Sequence, residues 1–411
     1  MRFVIIGASA AGINAAKKLR ELNPNSEIII ISKDKDIYSR CILYHHLKGI
    51  RDLKKLSFVE DNFIEKNKIE WIKGREVIGI NTKLQCVKLD NDNEVKYDKL
   101  LIASGSHSFI PKIDGIDGAK NLVGFRNFED VEKIEEMLPN IKNIVIMGGG
   151  LVGIDAAAGL LHKDKNLYLV EMGDRMLPFQ LDNYTASVYE KAFEKEGLKQ
   201  YYSNGIASIE NIDGTIKSVT LKSGEIIPCD LLISAAGIRA NIRFLEGSEV
   251  ACDNKGLLFN EKGETNISNI YGAGDVSGKS PIWPVAVKEG IIAAYNMSGL
   301  NKDMDDFFAS KATMNFLDIP TMSLGITSGY DDSYTEEIEL DNFGNYKKIV
   351  HKNGIIYGAL LQGDLSYAGI LTQLIRLKID VSKVKKRLFD IDYSDFFHVT
   401  DNFEFTYNEV K

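Results

Sequence analysis

The sequence predicts an α/β chain with two doubly wound, parallel-sheet units and a smaller α+β tail. Three observations carry this. Twice, at Phe3–Ile6 and at Ile144–Met147, an apolar run breaks into a turn of small residues and then a helical pattern. Two later segments, YDKLLIASG (97–105) and CDLLISAAG (229–237), repeat one another in composition and order. At 411 residues the chain is too long for one ordinary core.

Composition narrows the function classes. Apolar residues make up 44% and charged residues 26%, the balance of a soluble globular protein. The formal charge of −8 argues against a general nucleic-acid binder. No apolar run is long enough to span a bilayer, and the opening strand pattern does not resemble a signal peptide. The four cysteines, Cys41, Cys86, Cys229 and Cys252, form no C-x-x-C pair and no zinc spacing. No metal site is expected, and scattered cysteines of this kind fit a reducing, cytoplasmic setting.

The first unit runs from Arg2. The strand Phe3–Ile6 enters Gly7, Ser9 and Gly12, and a helical stripe through Ile13, Ala16, Leu19 and Leu22 ends at Asn23-Pro24. A strand followed at once by a glycine turn and a helix N-terminus presents backbone N–H groups to a pyrophosphate. Ser9 stands where the pattern has its second glycine. After the next strand, Glu27–Ile31, the usual ribose-binding acid is replaced by Ser32, followed by Lys33 and Asp34. Segment 37–49 carries Tyr38, Arg40, Cys41, His45 and His46 beside the C-terminal edge of the sheet, where ligands bind in open α/β folds. Its other reading is a capped surface helix with a buried thiol, and packing is the simpler role for the two histidines.

A β-rich stretch, 70–97, leads to a buried strand ending in Ala103, Ser104 and Gly105; residues 107–120 read as a linker. In the second unit Gly148, Gly150 and Gly153 fill all three glycine positions around Leu151 and Val152. An alanine-rich helix follows, and the strand Leu167–Val170 ends at Glu171. That carboxylate stands where an adenosine ribose needs one and repels a 2′-phosphate, which predicts NAD(H) over NADP(H). A hairpin region, 211–224, precedes the repeated strand ending at Ala236-Gly237. A short strand then ends at Gly274-Asp275, and a helix from about Val285 to Met297 follows Pro281-Ile282-Trp283-Pro284. The tail has strand patterns at 346–351 and 355–361 and a helical one at 371–377. The basic run Lys383, Lys385, Lys386 and Arg387 reads as a solvated helix face.

In this order, the two glycine motifs, the strands ending ASG and AAG, and the late Gly-Asp resemble the FAD-dependent pyridine nucleotide-disulfide oxidoreductases over roughly residues 1–300. The resemblance implies two Rossmann-like domains, one inserted in the other. FAD binding would occupy 1–110 and 236–305, NAD binding 111–235, and a C-terminal interface domain 306–411. The implied FAD residues are Gly7, Ser9, Ala10, Ala11, Gly12, Ser32, Lys33, Arg40, Cys41, Ala103, Ser104, Gly105, Gly274, Asp275 and Trp283. Gly148, Gly150, Leu151, Val152, Gly153, Glu171, Ala236 and Gly237 would hold NADH.

YSRC at 38–41 resembles the place where NADH oxidases, peroxidases and coenzyme A-disulfide reductases carry one redox cysteine. Tyr38, Arg40 and Trp283-Pro284 instead resemble NADH:rubredoxin reductases and nitrite reductase flavoproteins, with Cys41 in the position of a proline. The expected activity is transfer of hydride from NADH to FAD, then of electrons to an acceptor. The acceptor is a disulfide, or dioxygen or peroxide through Cys41, or a rubredoxin- or ferredoxin-type protein. For the cysteine route the expectation is a thiolate whose pKa is lowered by Arg40 or a helix N-terminus; the other reading makes Cys41 a small buried hydrophobe. Homodimerisation through the tail is implied by resemblance. A different class also stands: an NADH-responsive redox-sensing flavoprotein that binds a partner.

Overall fold

The computed structural model describes residues 1–279, 281–304, 311–399 and 405–407. The chain forms two compact units, Met1–Val170 with Asn204–Phe307, and Glu171–Ser203 with Phe308–Lys411.

The first unit holds the α/β architecture expected from the sequence. The strand Arg2–Ile6 lies between Glu27–Ser32 and Lys99–Ile102, with parallel pairing on both sides. Glu70–Lys73 and Ile270–Gly272 extend the sheet at its two edges. Every residue from Phe3 to Ile6 is buried, because both faces of the sheet are covered. Phe3 and Ile5 pack with Ile13, Ala16 and Leu19 of the first helix, Ala10–Leu22. Val4 and Ile6 pack on the other side with Val87, Leu89 and Leu257. The late helix, Trp283–Met297, lies along the first helix so closely that a Cβ on Gly290 would fall 2.3 Å from the Ala11 carbonyl oxygen. About 260 residues of chain thus separate two helices that share one core.

The second glycine motif repeats this plan. Asn143–Met147 pairs in parallel with Asn166–Val170 and with Leu231–Ser234, which in turn pairs with Leu122–Gly124. Each half also carries a three-stranded antiparallel insertion, Val77–Lys96 and Ile206–Pro228. The hairpin expected at 211–214 turns through Asp213 and Gly214, both at positive φ (51° and 81°), which matches the twist of its strands.

The second unit holds the helix Asn183–Lys195 and a five-stranded antiparallel sheet. Tyr189 donates to the Ile319 carbonyl at 2.6 Å, and Gln362 donates to the Thr185 carbonyl at 3.2 Å, so the helix is tied to the sheet. The strands Tyr346–Lys352 and Ile355–Gln362 and the helix Ala368–Arg376 lie where the sequence patterns put them. The basic run is a correction. Residues 383–387 form a turn and a bend rather than a helix. Lys386 reaches Asp392 and Asp395, and Arg387 reaches Asp390 and Glu339; these local ion pairs shape the turn. Among the described residues no helix is long and apolar enough to cross a membrane.

Candidate functional site

The two glycine motifs have one geometry. Gly7 and Gly148 take φ of 112° and 111°, which favours glycine. A Cβ on either would meet a carbonyl oxygen of the neighbouring strand end, Ala103 at 2.1 Å or Ala235 at 2.4 Å. A Cβ on Gly12 or Gly153 would meet the carbonyl of Gly7 or Gly148 at 1.9 or 1.8 Å. These four glycines let a helix start directly on top of a strand end. The middle position differs. Ser9 and Gly150 are the N-cap residues of their helices, with extended backbone at negative φ. The fold therefore accepts a serine there, and Ser9 needs no compensation.

Around the first motif lies a cleft of about 880 Å³, within the range of small-molecule and cofactor sites. Gly7, Ser9, Ala10 and Ala11 line it, with Ser32, Lys33, Arg40, Cys41, Ala103, Ser104, Gly105, Gly274, Asp275 and Trp283. Of the residues the sequence assigned to FAD, only Gly12 is missing from this wall; it sits beneath the turn against Gly7. Two helices begin at the cleft, Ala10–Leu22 and Trp283–Met297, so two positive dipole ends and their unpaired N–H groups face it. A group with a pyrophosphate and a ring system that carries negative charge when reduced fits these donors.

The polar residues are held in place from several directions. Ser104 donates to the Asn241 carbonyl at 2.8 Å, and Asn241 donates back to the Ser104 carbonyl at 2.9 Å. The Ser32 hydroxyl is turned inward, donating to the Asp34 carbonyl at 2.7 Å and accepting from the Trp71 indole at 2.8 Å. Trp283 is packed edge-on against Phe58. Asp275 is ion-paired with Arg126 and lies 3.4 Å from the Ser106 hydroxyl.

Sequence reading missed Arg126. Its signal was local: Asn127 and Asp130 form a reciprocal capping box at the start of the helix Phe128–Met137. That pattern locates a helix N-terminus and puts Arg126 just outside it, on the cleft.

Cys41 is brought to the cleft, as the sequence suggests. It lies on the cleft wall, in a single turn of 3₁₀ helix, Arg40–Ile42. The residue is exposed, and its surroundings favour the thiol over the thiolate. Burial pushes the thiol up to about 11, Asp155 adds to the rise, and the cation that opposes it is Arg126. Arg40, expected to supply the positive charge, is spent elsewhere. Its guanidinium donates to Asp34 at 2.6 Å and to Asn127 at 3.2 Å, and lies over the Tyr38 ring. Tyr38 completes the knot by donating to Asp34 at 2.9 Å and accepting from the Phe128 N–H at 3.0 Å. The helix that follows Cys41 has only five residues, Leu43–Leu47, and so a weak dipole. His46 packs on Phe128 and reaches Glu135 at 3.5 Å, and His45 packs on Tyr44; neither histidine lines the cleft.

Leu151, Val152, Ala236 and Gly237 flank the second glycine turn and do not line the large cleft. Glu171 directly follows the strand Asn166–Val170, and its carboxylate accepts the Gly173 N–H at 2.6 Å.

Comparison with known proteins agrees with this architecture. Residues 1–290 match the family model for pyridine nucleotide-disulphide oxidoreductases. The chain belongs to that family. This pyridine nucleotide-disulphide oxidoreductase is a flavoprotein enzyme, and FAD and a nicotinamide dinucleotide are its cofactor and reductant. Residues 311–379 match the C-terminal domain of rubredoxin NAD+ reductase. An NADH oxidase of Methanocaldococcus jannaschii is 31% identical over 320 residues, covering 73% of this chain and 70% of that protein. A nitrite reductase [NAD(P)H] of Bacillus subtilis is 26% identical over 391 residues; the match takes in 94% of this chain but 48% of that enzyme. A NAD-dependent persulfide reductase from A. fulgidus shares the fold, with a TM-score of 0.82, 24% identity, and coverage of 92% of this chain and 77% of that one.

Proposed function

We propose that this oxidoreductase takes hydride from NADH and passes electrons one at a time to a small iron–sulfur carrier of the rubredoxin or ferredoxin type. The observation that carries the choice of acceptor is the match of residues 311–379 to the C-terminal domain of rubredoxin NAD+ reductase. Disulfide exchange and peroxide reduction need a thiolate, and Arg40, the cation next to Cys41 in sequence, is engaged by Asp34 and Asn127 instead.

In this reading FAD occupies the large cleft. Bound FAD supplies a two-electron acceptor that can release single electrons. The chain's residues do the rest. The Gly7–Gly12 turn and the N-terminus of the first helix bind the pyrophosphate. Asp275, steadied by Arg126, orients the polar chain of the cofactor. Trp283 and Phe58 exclude water from one side, and the N-terminus of the late helix favours negative charge. Gly148, Gly150, Gly153 and Glu171 bind NADH, with Glu171 selecting against a 2′-phosphate.

The test is NADH oxidation by the purified flavoprotein with rubredoxin, ferredoxin, coenzyme A disulfide and air as acceptors. Turnover with an iron–sulfur carrier that survives Cys41→Ser is expected. Turnover confined to disulfides, persulfides or peroxide and abolished by Cys41→Ser would overturn the reading. That second reading has one observation in its favour: Cys41 does face the cleft. An NADH-responsive sensor is distinguished by flavin that NADH reduces and that then stays reduced for many minutes with every acceptor present.

A further inference from the structure

The turn Gly274-Asp275 is held from behind by a carboxyl group that the reaction above does not use. Glu289, on the late helix, accepts the Gly274 N–H at 2.7 Å. It lies three residues beyond Ala286, which lines the cleft, and next to Gly290, which touches the Ala11 backbone. Gly274 itself is wedged between Ala11 and Ala286, with φ of 81°. Glu289 therefore stands directly behind the junction of the first helix and the Gly-Asp turn.

Resting on the assignment of the cleft to FAD, we propose that Glu289 is a positioning residue for the flavin, and that its protonated form is the one that retains FAD. Two carboxyl groups, Glu289 and Asp275, share this corner. FAD adds two phosphate charges to the same wall. An ionised Glu289 would then add a further buried negative charge beside them, whereas the neutral acid adds none and still accepts the Gly274 N–H. Burial above all, with Asp275, pushes the Glu289 carboxyl up to about 7 without the ligand, against the opposing pull of the Gly274 N–H bond, and an anionic ligand pushes it further up. Binding of FAD above neutral pH thus takes up a proton.

The other charges nearby do not cancel the effect. Lys279 opposes the rise, but only as the smallest of the influences on Glu289. Arg126 is committed to Asp275. The first helix meets Gly274 and Gly290 with the uncharged Ala11, and its Lys18 is engaged with Glu21 and lies over the Tyr295 ring. On the neighbouring strand the Tyr271 hydroxyl, with Lys99 beside it, lies at Asn296, two turns further along the helix.

The experiment is the equilibrium affinity for FAD, read by flavin fluorescence on the full chain between pH 5.5 and 8.5. For the wild type, Kd rises above about pH 7 by up to tenfold per pH unit. Glu289→Gln keeps an acceptor for the Gly274 N–H but cannot ionise. It should bind at pH 8.5 as tightly as the wild type does at pH 6. Glu289→Ala, which loses the acceptor, should bind weakly at every pH. A flat wild-type profile, or a Glu289→Gln profile with the wild-type slope, would overturn the proposal. Asp275→Asn separates this from the cleft assignment: if it leaves FAD affinity unchanged, the assignment of the cleft is what fails.

Discussion

Gly150→Ala is the substitution that best separates what the fold requires of the second glycine motif from what the ligand requires. Gly150 has φ −76° and ψ −177°, open to any L residue, and a Cβ there meets nothing within 4 Å. Exchanging glycine for alanine at an N-cap costs the helix less than ~1 kcal/mol. Gly153→Ala, three residues on, is the contrast. Its Cβ would lie 1.8 Å from the Gly148 oxygen and 3.0 Å from the Gly148 carbon, both backbone atoms. No rotamer relieves that overlap, so the helix must move off the strand, at a cost of at least ~1–3 kcal/mol. Thermal unfolding and NADH titration of the two variants give the comparison. Gly150→Ala should melt within a few degrees of the wild type and lose at least tenfold in NADH affinity, about 1.4 kcal/mol. Gly153→Ala should lose stability and affinity together. If Gly150→Ala binds NADH as the wild type does, or melts as early as Gly153→Ala, the division between fold and ligand is refuted.

Three further outcomes follow from the same structure. Asp230 accepts from the backbone N–H groups of Lys142 and Asn143 and from the Asn143 side chain, and these bonds hold its pKa below the usual value. Asp230→Asn should cost ~1–3 kcal/mol by urea denaturation at pH 7; because a depressed carboxylate stabilises only above its ordinary pKa, the difference should fade as pH falls below ~4. Glu289 has the opposite sign: its folded pKa of about 7 lies above the ordinary value, so the flavin-free protein should lose up to ~3 kcal/mol as pH rises from ~4.5 to ~7, and Glu289→Gln should abolish that loss. With its thiol near 11, Cys41 should react with iodoacetamide at pH 7.5 on the order of 100-fold more slowly than free cysteine, as mass spectrometry of the labelled peptides can show; labelling at the rate of free cysteine would restore the thiolate reading.

The parts of the fold that were legible are those in which neighbours in sequence are neighbours in space. Gly7 and Gly12, or Gly148 and Gly153, touch within one turn, so their spacing alone carries the motif. The apolar run Phe3–Ile6 reads as doubly buried because no polar residue interrupts it. The pairings that set the chemistry are distant. Arg126 meets Asp275 across 149 residues, and Asp155 acts on Cys41 from another helix. YSRC read locally suggested Arg40 as the activating charge. Only the tertiary structure shows Arg40 already held by Asp34 and Asn127. The basic run 383–387 was misread for a related reason. Its charges answer Asp390, Asp392 and Asp395 in the following turn, and a count of lysines along a helical wheel does not contain those partners.

The late arrival of Ile270–Gly272 and of the helix Trp283–Met297 bears on how the chain folds during synthesis. The strand Arg2–Ile6 is made first, yet its sheet lacks an edge strand and its first helix lacks a covering partner until about 260–290 further residues have been added. At ~5–20 residues per second, that leaves the nascent sheet incomplete for roughly 13–60 s on the ribosome. The inserted strands Leu122–Gly124, Asn143–Met147, Asn166–Val170 and Leu231–Ser234 are all made within that interval. The nucleotide motif synthesised second is therefore positioned to fold first, and the one synthesised first must wait for a segment that closes it from the far end of the insertion.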